Sequence, residues 1–148
     1  MIFMKISLLN LFGLGKTKFS ASTASLLVLP LYWCIGSYLT YAFIINLAFF
    51  FIVLGGSMYL LHTNKNWAMS DPKEIVVDEF LGMHIALIIA ASLNVYILLA
   101  QFILFRVIDI LKPFPFSWIE KKCNNEYGLL ADDIAIGIVI GFATMFFR

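Results

Sequence analysis

Charged residues are scarce in this chain of 148 residues. They make up 13% of the sequence, whereas a soluble domain has about 25%. Hydrophobic residues make up 62%, a balance that excludes an ordinary soluble domain and predicts an integral membrane protein. The net charge is only +1 and no basic tract is present, so nucleic acid is not expected as a partner.

Cysteine and catalytic signature motifs are also scarce. The two cysteines, Cys34 and Cys123, suit neither a disulfide framework nor a paired metal motif, and neither begins a Cys-x5-Arg phosphate loop. The stretch "GLGKTKFS" lacks the first glycine of a nucleotide-binding phosphate loop. His62 and His84 lack the H-E-x-x-H context of a zinc hydrolase. We expect His84 to be an interior hydrogen-bonding group.

Long apolar runs dominate the remaining sequence. The N-terminal 20 residues lack a signal-peptide cleavage site and suit a short amphipathic helix in the membrane interface. Five apolar runs follow, with lengths that approach or reach a membrane span: Ser25–Tyr41, Ala42–Leu61, Phe80–Ser92, Val95–Leu111 and Ile134–Phe147. The pattern predicts an all-α, integral membrane helical bundle of about five helices, formed by a single membrane-embedded domain over residues 1–148.

The charged residues predict the orientation of this bundle. If each run crosses the membrane once, the ten basic and nine acidic residues all lie on or near one side, except Arg148. An excess of lysine and arginine marks the cytoplasmic side of a membrane protein. The charged face is therefore expected to point to the cytoplasm.

The first charged cluster is "DPKEIVVDEFLG". Asp71, Pro72 and Glu74 form a capping box with proline at the first helical position, which predicts a helix over residues 72–92. A purely structural cap explains Asp71 and Glu74 well.

Asp78 and Glu79 would lie in the second turn of that helix, where its dipole favours acids little. A lipid-facing charge is costly, so both are expected to face the bundle interior at the membrane boundary. Gly82, one turn further, would let another helix or a phosphate come close.

The second cluster is "FRVIDILKPFPF". Arg106, Asp109 and Lys112 recur at every third position and share one broad helix face, and Pro113 is expected to end the helix. An Arg–Asp ion pair that orders a helix end is the plain interpretation, with the lysine reaching toward water. A phosphate clamp is the functional interpretation, favoured by the position of Arg106 nearly two turns inside the apolar run.

The third cluster is "GLLADDIAIG", in which Asp132 and Asp133 are expected to open the last helix. One aspartate suits a helix N-terminus, whereas two adjacent ones repel unless a cation offsets their charge. Carboxylates from two helices suit Mg²⁺, and Arg106, Lys112 and Lys73 could hold an anion. The combination at a membrane surface predicts phosphoryl chemistry on a lipid headgroup.

Two alternatives remain at this point. The enzyme could act on a different lipid phosphate, either as a phosphatase or as a phosphotransferase, and a carboxylate could itself be the nucleophile. A small ion transporter could use the same acids as a relay, although the charges gather on one face instead of stepping across the bilayer.

The three clusters resemble motifs of the bacterial phosphatidylglycerophosphatase A family. "DPKEIVVDEFLG" matches D-P-x-x-I-V-x-D-E-x-x-G, "FRVIDILKPFP" matches F-R-x-x-D-x-x-K-P-x-P, and "ADDIAIG" matches D-D-x-x-x-G. The likeness covers roughly residues 71–141. Near the N-terminus, "SASTASL" (Ser20–Leu26) lacks the proline and glycines usual in the family.

The resemblance implies Mg²⁺-dependent hydrolysis of phosphatidylglycerophosphate to phosphatidylglycerol and inorganic phosphate. It also implies a multi-pass protein of the bacterial inner membrane, in phospholipid synthesis, with its active site facing the cytoplasm. The expected roles cover nine side chains: a Mg²⁺ and water site at Asp78, Glu79, Asp132 and Asp133, phosphate binding by Lys73, Arg106 and Lys112, a base or orienting group at Asp109, and support from Asp71.

Overall fold

The described part of the chain is helical, as the sequence predicted. The computed structural model describes residues 9–11, 19–38, 40–64, 75–118 and 128–147, apart from the side chain of residue 129. Five helices have defined bounds within these ranges: α1 (Ser20–Tyr38), α2 (Ala42–Thr63), α3 (Val77–Ala90), α4 (Val95–Leu111) and α5 (Gly128–Met145). The all-α prediction is confirmed, and the interfacial helix predicted near the N-terminus lies mostly outside the described residues.

Large apolar side chains cover the outside of this bundle. Among the described helices, α1 and α2 are long and apolar enough to cross a membrane, with 19 and 22 residues. Ile52 on α2 is 72% exposed, and Ile110 on α4 is also 72% exposed. Soluble proteins rarely expose so many large apolar side chains, so the bundle is suited to a lipid environment.

Helix α3 forms the centre of the bundle. Ten of its 14 residues are buried, and it packs against all four other helices, most extensively against α5. Its length of about 21 Å falls short of the roughly 30 Å hydrocarbon core of a bilayer. Helix α3 is therefore a buried core helix, shorter than the helix over residues 72–92 that the sequence predicted.

The start of α3 also differs from the prediction. The helix begins at Val77 instead of Pro72, because the N–H of Val76 donates to the Leu9 carbonyl oxygen (3.2 Å) and not to a carbonyl four residues earlier. Asp78 and Glu79 consequently lie in the first turn of the helix. The proposed capping box, residues 71–74, lies outside the described residues.

The other helix boundaries follow the local signals more closely. Asn94 caps α4 by accepting a hydrogen bond from the Tyr96 N–H (3.0 Å), and α4 ends at Leu111, before Pro113, as predicted. Helix α5, however, starts at Gly128. Asp132 and Asp133 therefore lie in its second turn, where capping no longer explains them.

His84 connects α3 to α2 inside the bundle. Its ring is fully buried, and its Nε2 is 3.1 Å from Oδ1 of Asn46. The rings of Phe49 and Phe80 approach it edge-on, with centroids 5.6 and 6.0 Å away. The prediction of an interior hydrogen-bonding histidine is confirmed.

Candidate active site at three helix ends

Three glycines bring the backbones of α3 and α5 into direct contact. A Cβ built on Gly137 would collide with the carbonyl oxygen of Gly82, and one built on Gly82 would lie 2.6 Å from the carbonyl oxygen of Asp133. One turn further along α5, a Cβ on Gly141 would lie 3.0 Å from the Ala86 carbonyl oxygen. Only glycine permits so close an approach, and Gly82 meets another helix as expected.

This contact positions acidic side chains from both helices. Asp78 lies one turn before Gly82, and Asp133 lies one turn before Gly137, so the helix crossing brings their carboxylates together. One oxygen each from Asp78, Glu79 and Asp133 lies within 4.8 Å of the others. We call these three residues the carboxylate trio. Its members come from two helices, and Asp133 follows Glu79 in the sequence by roughly 50 residues.

Helix α4 adds a fourth carboxylate at its C-terminal end. The carboxyl group of Asp109 lies close enough to that of Asp133 for the two to interact electrostatically. On its other side, Asp109 Oδ2 accepts a hydrogen bond from Arg106 Nη1 (2.8 Å), and both side chains are about 15% exposed. Asp109 thus links the carboxylate trio to the guanidinium group, consistent with an orienting role.

The carboxylate trio is electrostatically unfavourable without a counter-charge. Two unit charges 4.8 Å apart repel by about 3.5 kcal/mol at an effective dielectric constant of about 20. Asp133 is only 4% exposed, so water screens it little. A cation or bound protons must offset this repulsion.

The donor set fits a hard divalent cation. Carboxylate oxygens are the ligands that Mg²⁺ prefers. Oε2 of Glu79 is buried and has no hydrogen-bond partner among the described residues, although buried polar atoms are nearly always satisfied. An unsatisfied carboxylate oxygen beside two other carboxylates therefore favours a cation at the carboxylate trio.

The adjacent aspartates of α5 face different partners. Asp132 Oδ2 accepts a hydrogen bond from Lys112 Nζ (2.6 Å), and the Asp132 side chain is 5% exposed. Successive residues of a helix point about 100° apart, so Asp133 can join the carboxylate trio while Asp132 turns to the lysine. The structure therefore brings together three of the four predicted metal ligands, and the metal-binding role of Asp132 stays a prediction.

Lys112 adopts an unusual backbone conformation at this point. It is the C-cap of α4 with φ 38° and ψ 58°, in the left-handed region, which costs a non-glycine residue about 1–2 kcal/mol. Its N–H donates to the Ile108 carbonyl oxygen (2.7 Å). This turn directs the Lys112 side chain from the end of α4 to the side of α5. The strained backbone thus places the lysine ammonium group beside Asp132.

Replacing Lys112 with methionine is expected to raise KM at least tenfold. It should also destabilise the fold by about 2 kcal/mol, because it leaves the buried Asp132 carboxylate without its partner. Activity and thermal unfolding of Lys112→Met would be compared with those of the double variant Lys112→Met, Asp132→Asn. Recovery of stability without recovery of KM would identify the lysine as a phosphate ligand. Recovery of both stability and KM would show that Lys112 and Asp132 form only a structural ion pair.

Not every predicted site residue can be placed. Asp71 and Lys73 lie outside the described residues, so their roles stay predictions. Conversely, the contact of Asp109 with Asp133 was not foreseen, because no local pattern signals it. The packing role of Gly137 and Gly141 was also missed, although their G-x-x-x-G spacing is a known signal for close helix packing in membranes.

Comparison with known proteins gives a consistent result. The family model described as Phosphatidylglycerophosphatase A matches residues 7–148. The chain is 30% identical over 129 residues to Phosphatidylglycerophosphatase A of Escherichia coli, covering 86% of this chain and 74% of that protein. It is 41% identical over 76 residues to the protein of the same name in Haemophilus influenzae, covering 51% and 47%.

A third relative has a different name. The chain is 27% identical over 133 residues to a putative phosphatidylinositol-3-phosphatase of Bacteroides thetaiotaomicron, covering 86% of this chain and 82% of that protein. No solved structure matches the chain. Both names describe enzymes that remove a phosphate group from a lipid headgroup.

Proposed function

Because this chain belongs to the phosphatidylglycerophosphatase A family, we propose that it hydrolyses phosphatidylglycerophosphate to phosphatidylglycerol and inorganic phosphate. It is a phosphatase that acts on a phosphate monoester. The observation that carries the proposal is the convergence of Asp78, Glu79 and Asp133 within 4.8 Å. This acidic cluster lies in a bundle with an apolar outer surface, as an enzyme acting on a lipid headgroup requires.

We propose that Asp78, Glu79 and Asp133 hold Mg²⁺. The unsatisfied oxygen of Glu79 and the mutual repulsion of the three carboxylates support this role. The bound ion would neutralise charge on the phosphate oxygens and lower the pKa of water. Asp132 would become a further Mg²⁺ ligand only if Lys112 gave up its hydrogen bond to Asp132 and bound the substrate phosphate instead.

The basic residues of α4 would position the phosphate. The Nε of Arg106 is buried and has no hydrogen-bond partner among the described residues, which leaves one edge of its guanidinium group for an anion. Lys112, on the next turn, is 29% exposed at its side chain and can exchange Asp132 for a phosphate oxygen. Asp109 would hold Arg106 in this orientation.

The reaction breaks the bond between phosphorus and the ester oxygen of the headgroup. A water oxygen forms the new bond to phosphorus and gives up a proton, and the departing alkoxide takes up a proton to become the hydroxyl of phosphatidylglycerol. Asp109 lies between the carboxylate trio and Arg106, so it is the proposed acceptor of the water proton. General-base catalysis of this kind contributes about 10²–10⁴-fold.

The site is proposed to open toward the cytoplasm in the bacterial inner membrane. The described charged ends of α3, α4 and α5 meet at one place, and they belong to the face on which the sequence concentrates lysine and arginine. The positive-inside rule favours the cytoplasmic side for such a face. The substrate phosphate would reach the carboxylate trio while its acyl chains remain in the membrane.

Phosphate release from phosphatidylglycerophosphate by the purified protein in detergent tests this proposal. We expect release that requires Mg²⁺, stops with chelator and returns when Mg²⁺ is restored. Phosphatidylinositol 3-phosphate belongs in the same assay, because a relative carries that name. Equal or faster release from it would change the proposed substrate, and release that persists with chelator would contradict the metal role.

A further inference from the structure

A buried glutamine joins three helices inside the bundle. Gln101 on α4 is 0% exposed. Its Nε2 donates to the Ala86 carbonyl oxygen on α3 (3.1 Å) and to Thr144 Oγ1 on α5 (2.7 Å). The Thr144 hydroxyl donates to the Ile140 carbonyl oxygen (2.8 Å), so its oxygen accepts from the glutamine. Because a carbonyl oxygen can only accept, the amide nitrogen of Gln101 must face α3 and α5.

This glutamine carries a cost that an apolar side chain would avoid. Its Oε1 is buried and has no hydrogen-bond partner among the described residues, and such an unsatisfied oxygen is destabilising. Polar side chains inside membrane segments are expensive and usually have a function. The two hydrogen bonds of Gln101 are therefore the feature that explains its presence in the apolar run.

Gln101 shares a helix face with the α4 residues of the candidate site. Phe105 and Asp109 follow it after about one and two turns, at positions i+4 and i+8. Phe105 is fully buried against α3, where a Cβ built on Gly82 would lie 2.7 Å from the Cζ of its ring. Asp109 lies about 12 Å further along the axis than Gln101, at a rise of 1.5 Å per residue. A shift or rotation of α4 at Gln101 would therefore also move Arg106 and Asp109.

Helix α4 depends on such contacts more than α3 and α5 do. The glycine contact holds α3 and α5 together, whereas α4 packs less extensively against both. In a lipid environment the hydrophobic effect does not drive helices together, so close packing and interhelical hydrogen bonds fix their positions. In the apolar residues 95–105 of α4, the described side-chain hydrogen bonds to other helices are those of Gln101. They would hold α4 in place while Lys112 exchanges Asp132 for a phosphate oxygen.

We propose that Gln101 is a positioning residue for the reaction. Its hydrogen bonds to α3 and α5 set the depth and rotation of α4 and so hold Arg106 and Asp109 beside the carboxylate trio. The inference rests on the proposed function, because it takes Arg106 and Asp109 as groups that act on the substrate phosphate and its attacking water. The carboxylate trio itself comes from α3 and α5, so Mg²⁺ binding should not require Gln101.

Kinetics and metal binding together test this role. Gln101→Leu removes both hydrogen bonds, Thr144→Val removes one of them, and Thr144→Ser keeps the hydroxyl. We expect Gln101→Leu to lower kcat per folded protein about tenfold, since misplacing a reacting group by about 1 Å can cost about 10²-fold. The loss in Thr144→Val should be smaller, and the double variant Gln101→Leu, Thr144→Val should lose no more than Gln101→Leu alone. Thr144→Ser should keep most of its kcat, and Mg²⁺ should still raise the unfolding temperature of every variant.

A purely structural role predicts a different result. Activity would then fall only with the folded fraction, and kcat per folded protein would stay normal in Gln101→Leu. That outcome would overturn the proposal. Loss of the Mg²⁺ response together with kcat would also overturn it, because it would show a general defect of the bundle.

A distance measurement without substrate separates this inference from the proposed reaction. Spin labels at Ile52→Cys on α2 and Ile110→Cys on α4, both 72% exposed in the unmodified protein, would report the position of α4 in nanodiscs, with the natural cysteines replaced by serine. We expect Gln101→Leu to shift or broaden the distance distribution and Thr144→Ser to leave it unchanged. Ser57→Ala is the matched control and should also leave it unchanged, since the Ser57 hydroxyl donates to a carbonyl oxygen of α2 itself (2.7 Å).

The outcomes of this measurement distinguish the two proposals. A distance distribution in Gln101→Leu that equals that of the spin-labelled protein without this substitution would overturn the role of Gln101, and so would an equal change in Ser57→Ala. A change confined to Gln101→Leu, with no phosphate release from any lipid by the unmodified protein, would overturn only the proposed reaction.

Discussion

Glu79→Gln is expected to lower kcat for phosphate release by about 10³-fold while making the metal-free protein more stable. The substitution removes one negative charge from the carboxylate trio, whose oxygens lie within 4.8 Å, and so relieves repulsion. Function is lost because the amide is a much weaker ligand for Mg²⁺ than a carboxylate. Stability and activity should therefore change in opposite directions.

Thermal unfolding with and without Mg²⁺ checks both parts of this prediction. A ligand that binds only the folded state raises the unfolding temperature, so Mg²⁺ should stabilise the unmodified protein and have little effect on Glu79→Gln. Asp78→Asn and Asp133→Asn should behave alike, and Glu79→Asp, which keeps the charge, should retain part of the Mg²⁺ response. Unchanged turnover in the amide variants would contradict the assignment of the carboxylate trio.

Gly137→Ala is expected to destabilise the protein by about 3 kcal/mol and to remove most of its activity. The added methyl group would collide with the carbonyl oxygen of Gly82, and a backbone atom cannot move aside as a flexible side chain can. Helices α3 and α5 would have to separate. Asp133 lies one turn from the collision, so its distance from Asp78 and Glu79 would increase.

Two further glycine variants make this prediction specific. Gly141→Ala would also collide, with its new Cβ 2.7 Å from Ile89 Cβ, but two turns away from Asp133. It should cost stability while the folded fraction keeps more of its kcat. Gly55→Ala enters open space among the described residues and should be neutral or stabilising, because alanine favours a helix. Equal unfolding temperatures for all three variants would contradict tight packing at Gly137.

Local sequence signals were sufficient for much of the fold. Helix α4 has the bounds of its apolar run, Val95–Leu111, because Asn94 caps one end and Pro113 prevents continuation at the other. Each of these signals acts within a few residues, so a pattern can reveal it. The three motif clusters likewise contain the acidic and basic residues of the candidate site.

Tertiary contacts changed two helix starts. The predicted beginning at Pro72 failed because the Val76 N–H is bonded to Leu9, which is far away in the sequence. The predicted beginning of α5 at Asp132 failed because the helix extends back through apolar residues, among them Leu130, which is 3% exposed and packs in the core. Packing against distant residues overrides local capping preference in both cases.

The sequence by itself determined an apolar helical bundle, because composition and periodicity follow directly from residue type. Only the tertiary structure decided which charges meet. Asp133 joins Asp78 and Glu79, whereas its neighbour Asp132 pairs with Lys112. The physical reason is the glycine contact between α3 and α5, which sets the rotation of each helix and so directs two adjacent aspartates to different partners.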